Sequence, residues 1–242
     1  TQVGVLRPMR PDKVARIAAA YRRWGASPAL GYMVGAIRHP DRPAIVDELG
    51  TLTYAEVDRR TNALAHALAR EGIGAGDGVA IMCRNHRGFC EATVALGKLG
   101  ATALYLNTAF AGPQITDVLR REDPVAVIYD EEFGNLVADG ARDRKRFVSW
   151  FEGPDKPGDP LVEDLIEQGD SRPPEAPARK GRFIILTSGT TGTPKGAARH
   201  TPDNLDPLAA LFDKIPMRAG QRMMIAAPLF HSWGFLHFNF SL

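Results

Sequence analysis

The chemistry in this sequence concentrates in ten residues, Thr187-Ser188-Gly189-Thr190-Thr191-Gly192-Thr193-Pro194-Lys195-Gly196. Gly189, Gly192 and Gly196 permit backbone angles that other residues resist. They let main-chain N–H groups converge as an anion-binding nest. The hydroxyls of Thr187, Ser188, Thr190, Thr191 and Thr193 add donors, and Lys195 adds a positive charge. With no acidic side chain present, the stretch suits a polyphosphate. An apolar, β-prone run, Phe183-Ile184-Ile185-Leu186, precedes it, so it reads as a loop leaving a buried strand. A flexible Ser/Thr/Gly linker is the alternative, but linkers seldom follow directly on such a run.

The P-loop signature needs Gly-Lys-Ser/Thr at its end. Here Lys195 follows Pro194, and Gly196 stands where Ser or Thr should be. Pro194 fixes the backbone before the lysine and removes one donor. A P-loop ATPase is therefore disfavoured. The stretch instead resembles, position for position, the pattern [ST]-S-G-[ST]-T-G-x-P-K-G of the adenylate-forming enzymes. These include acyl-CoA synthetases, luciferases and peptide-synthetase adenylation domains. Weaker similarities are Gly76-Asp77-Gly78-Val79, Asn85, Gly100-Ala101 and Asn107, and they extend the resemblance from about Pro43 to the C-terminus.

The resemblance implies an AMP-forming acid–thiol ligase. A carboxylate is a poor electrophile; attack on the α-phosphate of ATP makes an acyl-adenylate and expels pyrophosphate. The thiol of coenzyme A then displaces AMP. The protein must mainly position reactants and stabilise negative charge. Carried over by position, Thr187, Ser188, Gly189, Thr190, Thr191, Gly192, Thr193 and Lys195 bind the ATP phosphates. A second segment, Pro228-Leu229-Phe230-His231-Ser232-Trp233-Gly234-Phe235, is similar to the family's P-x-[FY]-H-x-x-G. By that likeness His231, with Lys195, is catalytic, and Phe230, His231, Trp233 and Phe235 line the acyl pocket. Read as residues alone, the three aromatics are plain core and His231 a satisfied histidine. A fatty acid is the substrate class that the apolar segment suits. ATP, Mg2+ and coenzyme A are the implied cofactors or substrates, with magnesium taking no ligand from this chain.

Complete members of the family are roughly twice as long. They carry a later Y-G-x-T-E motif, a ribose-binding Asp, a hinge and a C-terminal domain with a catalytic lysine; none precedes Leu242. The expectation is an N-terminal piece, inactive alone. The alternatives are an adenylation domain loading a carrier protein and a non-catalytic folded module.

Around these stretches, composition sets the frame. The 242 residues are 44% hydrophobic and 24% charged, with a net charge of +2, which argues for neither nucleic acid nor an anionic membrane as partner. Cys83 and Cys90 do not form a disulfide framework or a metal motif, and no Cys/His cluster has zinc spacing. With no apolar run of membrane length and no signal-peptide layout, the expected location is cytoplasmic. His200, His237 and the charge run Arg142–Arg146 read as surface or packing residues.

The elements follow from periodicity. A helix from Pro11 to Trp24 with an Asp12 cap and a second from Ala29 to Ile37 lead into a hairpin about Leu49-Gly50. Thr53 and Glu56 form a capping box opening a helix with Val57, Leu64 and Leu68 on one face. Strands at Val79–Met82, Ala101–Leu106, Val125–Tyr129 and Phe147–Trp150 alternate with helices at Phe89–Leu99, Pro113–Arg121 and near Asn135. Beyond a short helix at Leu161–Glu167 come the Phe183 strand, a helix at Asn204–Lys214, a strand at Met223–Ala227 and an apolar helix about His237. This predicts an α/β fold of mostly parallel sheet flanked by helices. The expected division is an N-terminal α/β subdomain over 1–168, a linker or surface loop over 169–181, and the start of a second subdomain over 182–242. Apolar surface exposed by such a piece would favour self-association.

Overall fold

The computed structural model describes residues 8–187, 195–198 and 218–241, with only the backbone given for residues 187 and 195–198. The predicted helix 204–214 lies outside the described residues. Helices α1 (Pro11–Trp24) and α2 (Pro28–Arg38) precede an antiparallel hairpin of β1 (Pro43–Asp47) and β2 (Gly50–Thr53). Asp12 does not cap α1. Arg10 holds the N-cap position without a side-chain cap, and Asp12 sits in the first turn, accepting from Arg10 Nε at 3.1 Å. Pro11 already supplies the helical φ that starts the helix.

The capping box forms as the residues dictate. Thr53 Oγ1 accepts from Glu56 N–H at 3.2 Å, and Glu56 accepts from Thr53 N–H at 2.7 Å. It opens α3 (Tyr54–Arg70), which buries Val57, Leu64 and Leu68 completely.

Six strands form the main sheet: β3 (Gly78–Met82), β4 (Thr102–Tyr105), β5 (Ala126–Asp130), β6 (Lys145–Trp150), β7 (Arg182–Thr187) and β8 (Lys195–Ala198). Their order is β6-β5-β3-β4-β7-β8, and all but β8 run parallel. Between them lie α4 (Arg87–Leu99), α5 (Gly112–Glu122), the four-residue α6 (Gly134–Val137) and α7 (Val162–Glu167). The fold is α/β, as the alternating pattern dictates. β7 pairs with β4 in this same sheet, with Tyr105 opposite Ile185.

Side-chain alternation splits the interior into two cores. Val79, Ile81 and Cys83 point to the α3 and α4 face, whereas Ala80 and Met82 point to the face covered by α5 and α6. The chain leaves β3 into α4 on one face, and leaves β5 toward α6 on the other. The carboxyl ends of adjacent strands β3 and β5 thus frame the crevice where ligands settle in open α/β sheets. One irregularity lies beside it. Tyr129 is opposite Val148 but Asp130 is opposite Trp150, so Ser149 is an extra residue in β6.

The strand predicted over Met223–Ala227 is absent. Residues 221–226 have no regular structure, and Met224 is 92% exposed. A β-prone run makes a strand only where a ladder is available, and here a side chain takes its carbonyls instead (below). The last helix is α8 (Ser232–Ser241).

Candidate functional site

The carboxyl edge of the sheet gathers three segments. The first is the β7–β8 hairpin. Thr187 pairs with Lys195 and Leu186 with Gly196, so the loop 188–194 begins and ends on facing residues at that edge. Of the sequence-predicted phosphate ligands, Ser188, Gly189, Thr190, Thr191, Gly192 and Thr193 lie outside the described residues. For Thr187 and Lys195 the backbone position is given. His200 also lies outside.

The second segment is 225–231, held by Asn85 just past β3. Asn85 Nδ2 donates to Ile225 O at 3.1 Å and Ala227 O at 2.9 Å, and Leu229 N–H donates to Asn85 Oδ1 at 2.8 Å. One amide side chain thereby satisfies three backbone groups, two of them carbonyls that the predicted strand would have paired. The next turn is equally constrained. A Cβ on Gly234 would stand 2.1 Å from Pro228 O, so the backbone passes where no larger residue fits.

This arrangement separates the predicted pocket residues. His231 is exposed; its N–H donates to Pro228 O at 3.0 Å, and its Nδ1 stands 3.5 Å from Trp233 N at the start of α8. Trp233 is 56% exposed and meets the His237 ring edge-on at 4.5 Å. Phe230 is half-buried. Phe235 is in the core, with ring centroids 4.6 Å from Phe183 and 5.0 Å from Tyr105. His237 Nδ1 lies 2.9 Å from Trp233 O, one turn back on the same helix.

The third segment is the β3–β5 crevice. A cavity of about 720 Å3 opens over it, lined by Arg84, Asn85, His86, Asp130, Trp150 and Phe230 among others. That size suits a small-molecule site. His86 Nε2 lies 2.9 Å from Asp130 Oδ2, Arg84 N–H donates to the same oxygen at 2.7 Å, and Gly88 N–H donates to His86 Nδ1 at 3.0 Å. The Trp150 ring lies against the imidazole at 4.7 Å. Above them the Arg84 guanidinium pairs with Glu132 at 2.5 Å. Sequence reasoning noted Asn85 only as part of a weak resemblance and passed over His86 and Asp130. Their partners are 44 residues or more away, and only strand order brings them together.

Both cysteines are buried and free. Burial, reinforced by nearby Asp130, pushes the Cys83 thiol well up, and burial pushes Cys90 up to about 12. Neither is a thiolate nucleophile at neutral pH. The charge run is absorbed within the chain: Arg144 pairs with Asp123, Lys145 with Glu71 and Arg146 with Asp159.

The chain belongs to the AMP-binding enzyme family, whose sequence profile matches residues 35–242. It is 32% identical over 185 residues to the long-chain-fatty-acid–CoA ligase FadD13 of Mycobacterium tuberculosis, covering 74% of this chain and 36% of that one. It is also 32% identical over 184 residues to a feruloyl-CoA synthase of Amycolatopsis, covering 75% and 35%. The chain thus spans about a third of the length of these relatives. Among solved structures, it superposes on the inhibitor-bound N-terminal domain of FACL13 from Mycobacterium tuberculosis with a TM-score of 0.73 and 27% identity, covering 89% of this chain and 55% of that one. The o-succinylbenzoate coenzyme A synthetase of Bacillus subtilis, solved with ATP and magnesium, shares the fold at a TM-score of 0.70 and 23% identity, covering 86% and 53%. Among the described residues, no helix is long and apolar enough to cross a membrane.

Proposed function

We propose that this chain is the N-terminal part of a cytoplasmic ligase that activates a carboxylic acid with ATP and passes the acyl group to coenzyme A. A fatty acid is the substrate class. The observation that carries the proposal is the β7–β8 hairpin. It returns the Ser/Thr/Gly loop to Lys195, opposite Thr187, at the carboxyl edge of a parallel sheet. That edge is where ligands settle in open α/β sheets, and a Ser/Thr/Gly stretch ending in a lysine suits a triphosphate there. The chain's division at 169–181 is part of the same reading.

In this reading Thr187, Ser188, Gly189, Thr190, Thr191, Gly192, Thr193 and Lys195 hold the phosphates. Magnesium arrives with ATP as part of the substrate and takes no ligand from this chain. Phe230, His231 and Trp233 border the acyl carboxylate, and Phe235 backs them from the core. The 242 residues alone are inactive in acid-dependent ATP–pyrophosphate exchange and self-associate through apolar surface that includes Trp233. Clear exchange by this chain alone, or a strictly monomeric species in light scattering, contradicts the respective statement.

The decisive assay is the same exchange reaction in a ligase carrying this chain whole. Lys195→Ala should lower the rate by about 10²–10³-fold, the cost of one charge-stabilising donor in a dry site. An unchanged rate refutes the phosphate role. Supplying coenzyme A or a phosphopantetheinylated carrier protein then identifies the acceptor.

A further inference from the structure

The floor of the β3–β5 crevice holds a group of side chains that the ligase reading does not use. Cys83 Sγ, a His86 ring nitrogen and an Asp130 oxygen all lie within 4.8 Å of one another, and all three residues are buried. They come from separate places: the residue after β3, the N-cap of α4 and the last residue of β5. Register explains the meeting. Met82 is opposite Tyr129, so the next residue of each strand, Cys83 and Asp130, falls side by side on the α4 face.

Two polar atoms here, Asp130 Oδ1 and Ser149 Oγ, are buried with no N–H or O–H partner, and only the weakly bonding Cys83 thiol lies against their side chains. A buried carboxylate oxygen left unpaired is costly. Such an orphan calls for an explanation in an unseen water or ion. Ser149 is the extra residue of β6, and its Oγ lies over Gly88, where a Cβ would stand only 2.0 Å from it. Strand slippage therefore brings a fourth polar atom beside the Cys83 thiol.

We propose that Cys83, His86 and Asp130 form a binding site for a zinc-class divalent cation. One thiolate, one imidazole and one carboxylate make a mixed S/N/O set that suits zinc or cobalt and suits magnesium or calcium poorly. His86 and Asp130 also line the cavity, so a solvent ligand from that side completes four-coordination. Loading rearranges protons in a defined way. Without metal, Gly88 N–H donates to Nδ1, so a neutral His86 carries its proton on Nε2 and gives it to Asp130 Oδ2. Metal binding removes the Cys83 thiol proton to solvent, moves the imidazole proton to Nδ1, and frees Gly88 N–H. One proton is released per ion. Its occupancy can be read without any activity.

The experiment is titration of the chelator-stripped protein with Co2+, followed by absorption spectroscopy, then displacement by Zn2+. The expected result is one ion per chain, a thiolate-to-cobalt charge-transfer band, and intense visible bands of four-coordinate Co2+. Cys83→Ser should abolish the charge-transfer band. Asp130→Asn should weaken affinity on the order of tenfold or more. Far-UV circular dichroism checks that each variant is folded. Because the wild-type titration needs no variant, misfolding of Cys83→Ser leaves the test intact. A wild-type protein that gives no charge-transfer band and keeps no zinc after gel filtration overturns the proposal and leaves a buried water as the partner of Asp130. A band that persists in folded Cys83→Ser overturns it as well.

Discussion

Replacing Asn85 by Ala removes the side chain that holds residues 225–229 to the end of β3. Three hydrogen bonds go with it, at 2.8, 2.9 and 3.1 Å. Each is worth about 0.5–1.5 kcal/mol net, which would give a loss of about 2–4 kcal/mol if none were replaced. The two carbonyls, of Ile225 and Ala227, lie on the solvent side and can turn to water. Leu229 cannot, because it is buried at 4% exposure, and its amide is left without an acceptor. The local cost is therefore about 2 kcal/mol, or roughly a 30-fold rise in opening of this segment. Amide hydrogen exchange reads this directly. The Leu229 amide in Asn85→Ala should exchange roughly 30-fold faster, while the β3 amides change much less. Asn85→Asp keeps the acceptor for Leu229 and should retain part of that protection, although it sets a carboxylate against two carbonyls. Unchanged exchange at Leu229 in Asn85→Ala would refute the tether and, with it, the account of how His231 is positioned.

Gly234→Ala forces a methyl against Pro228 O and should lower the unfolding midpoint by an amount equivalent to about 1–3 kcal/mol, measured by thermal denaturation. Asp47→Asn breaks the fork between the β1–β2 hairpin and Arg87, where the guanidinium approaches the carboxylate at 2.5 Å with side-chain exposures of 11% and 4%. Losing these charge-assisted hydrogen bonds in a partly buried pair costs about 1.5–3 kcal/mol, read by urea denaturation at neutral pH. Burial raises the Asp47 carboxyl, but the Arg87 hydrogen bonds outweigh it and hold it below its usual value. A depressed carboxylate stabilises the fold above its unfolded pKa, about 3.9, and that stability is lost as pH falls through the lower folded value. Asp47→Asn should therefore show a shallower loss of stability below about pH 4; an acid limb as steep as wild type contradicts the assignment.

Much of the fold was legible because local and tertiary signals agreed. Apolar alternation on β3 and β5, the Thr53–Glu56 capping box and glycine stops each named an element that packing kept. Disagreements arose where a local signal lacked its tertiary partner. Met223–Ala227 has strand propensity, but its carbonyls meet Asn85 instead of a ladder. Asp12 is a good capping residue placed two positions too late, behind a proline that had already begun the helix. At the candidate site, the His231 segment stands out in the sequence as a contiguous pattern. His86 and Asp130 do not, since their meeting depends on strand order and register that no spacing in the sequence encodes.

Consecutive residues on a regular strand face away from each other, so a pair of neighbours ordinarily serves two different interiors. The slip at Ser149 suspends that rule for one step. Ser149 sits against Gly88 while Trp150 covers the adjoining imidazole of His86, so two neighbours address one place. Excising that extra residue would restore regular pairing, yet it would strip the hydroxyl from Gly88 and leave the indole alone beside His86.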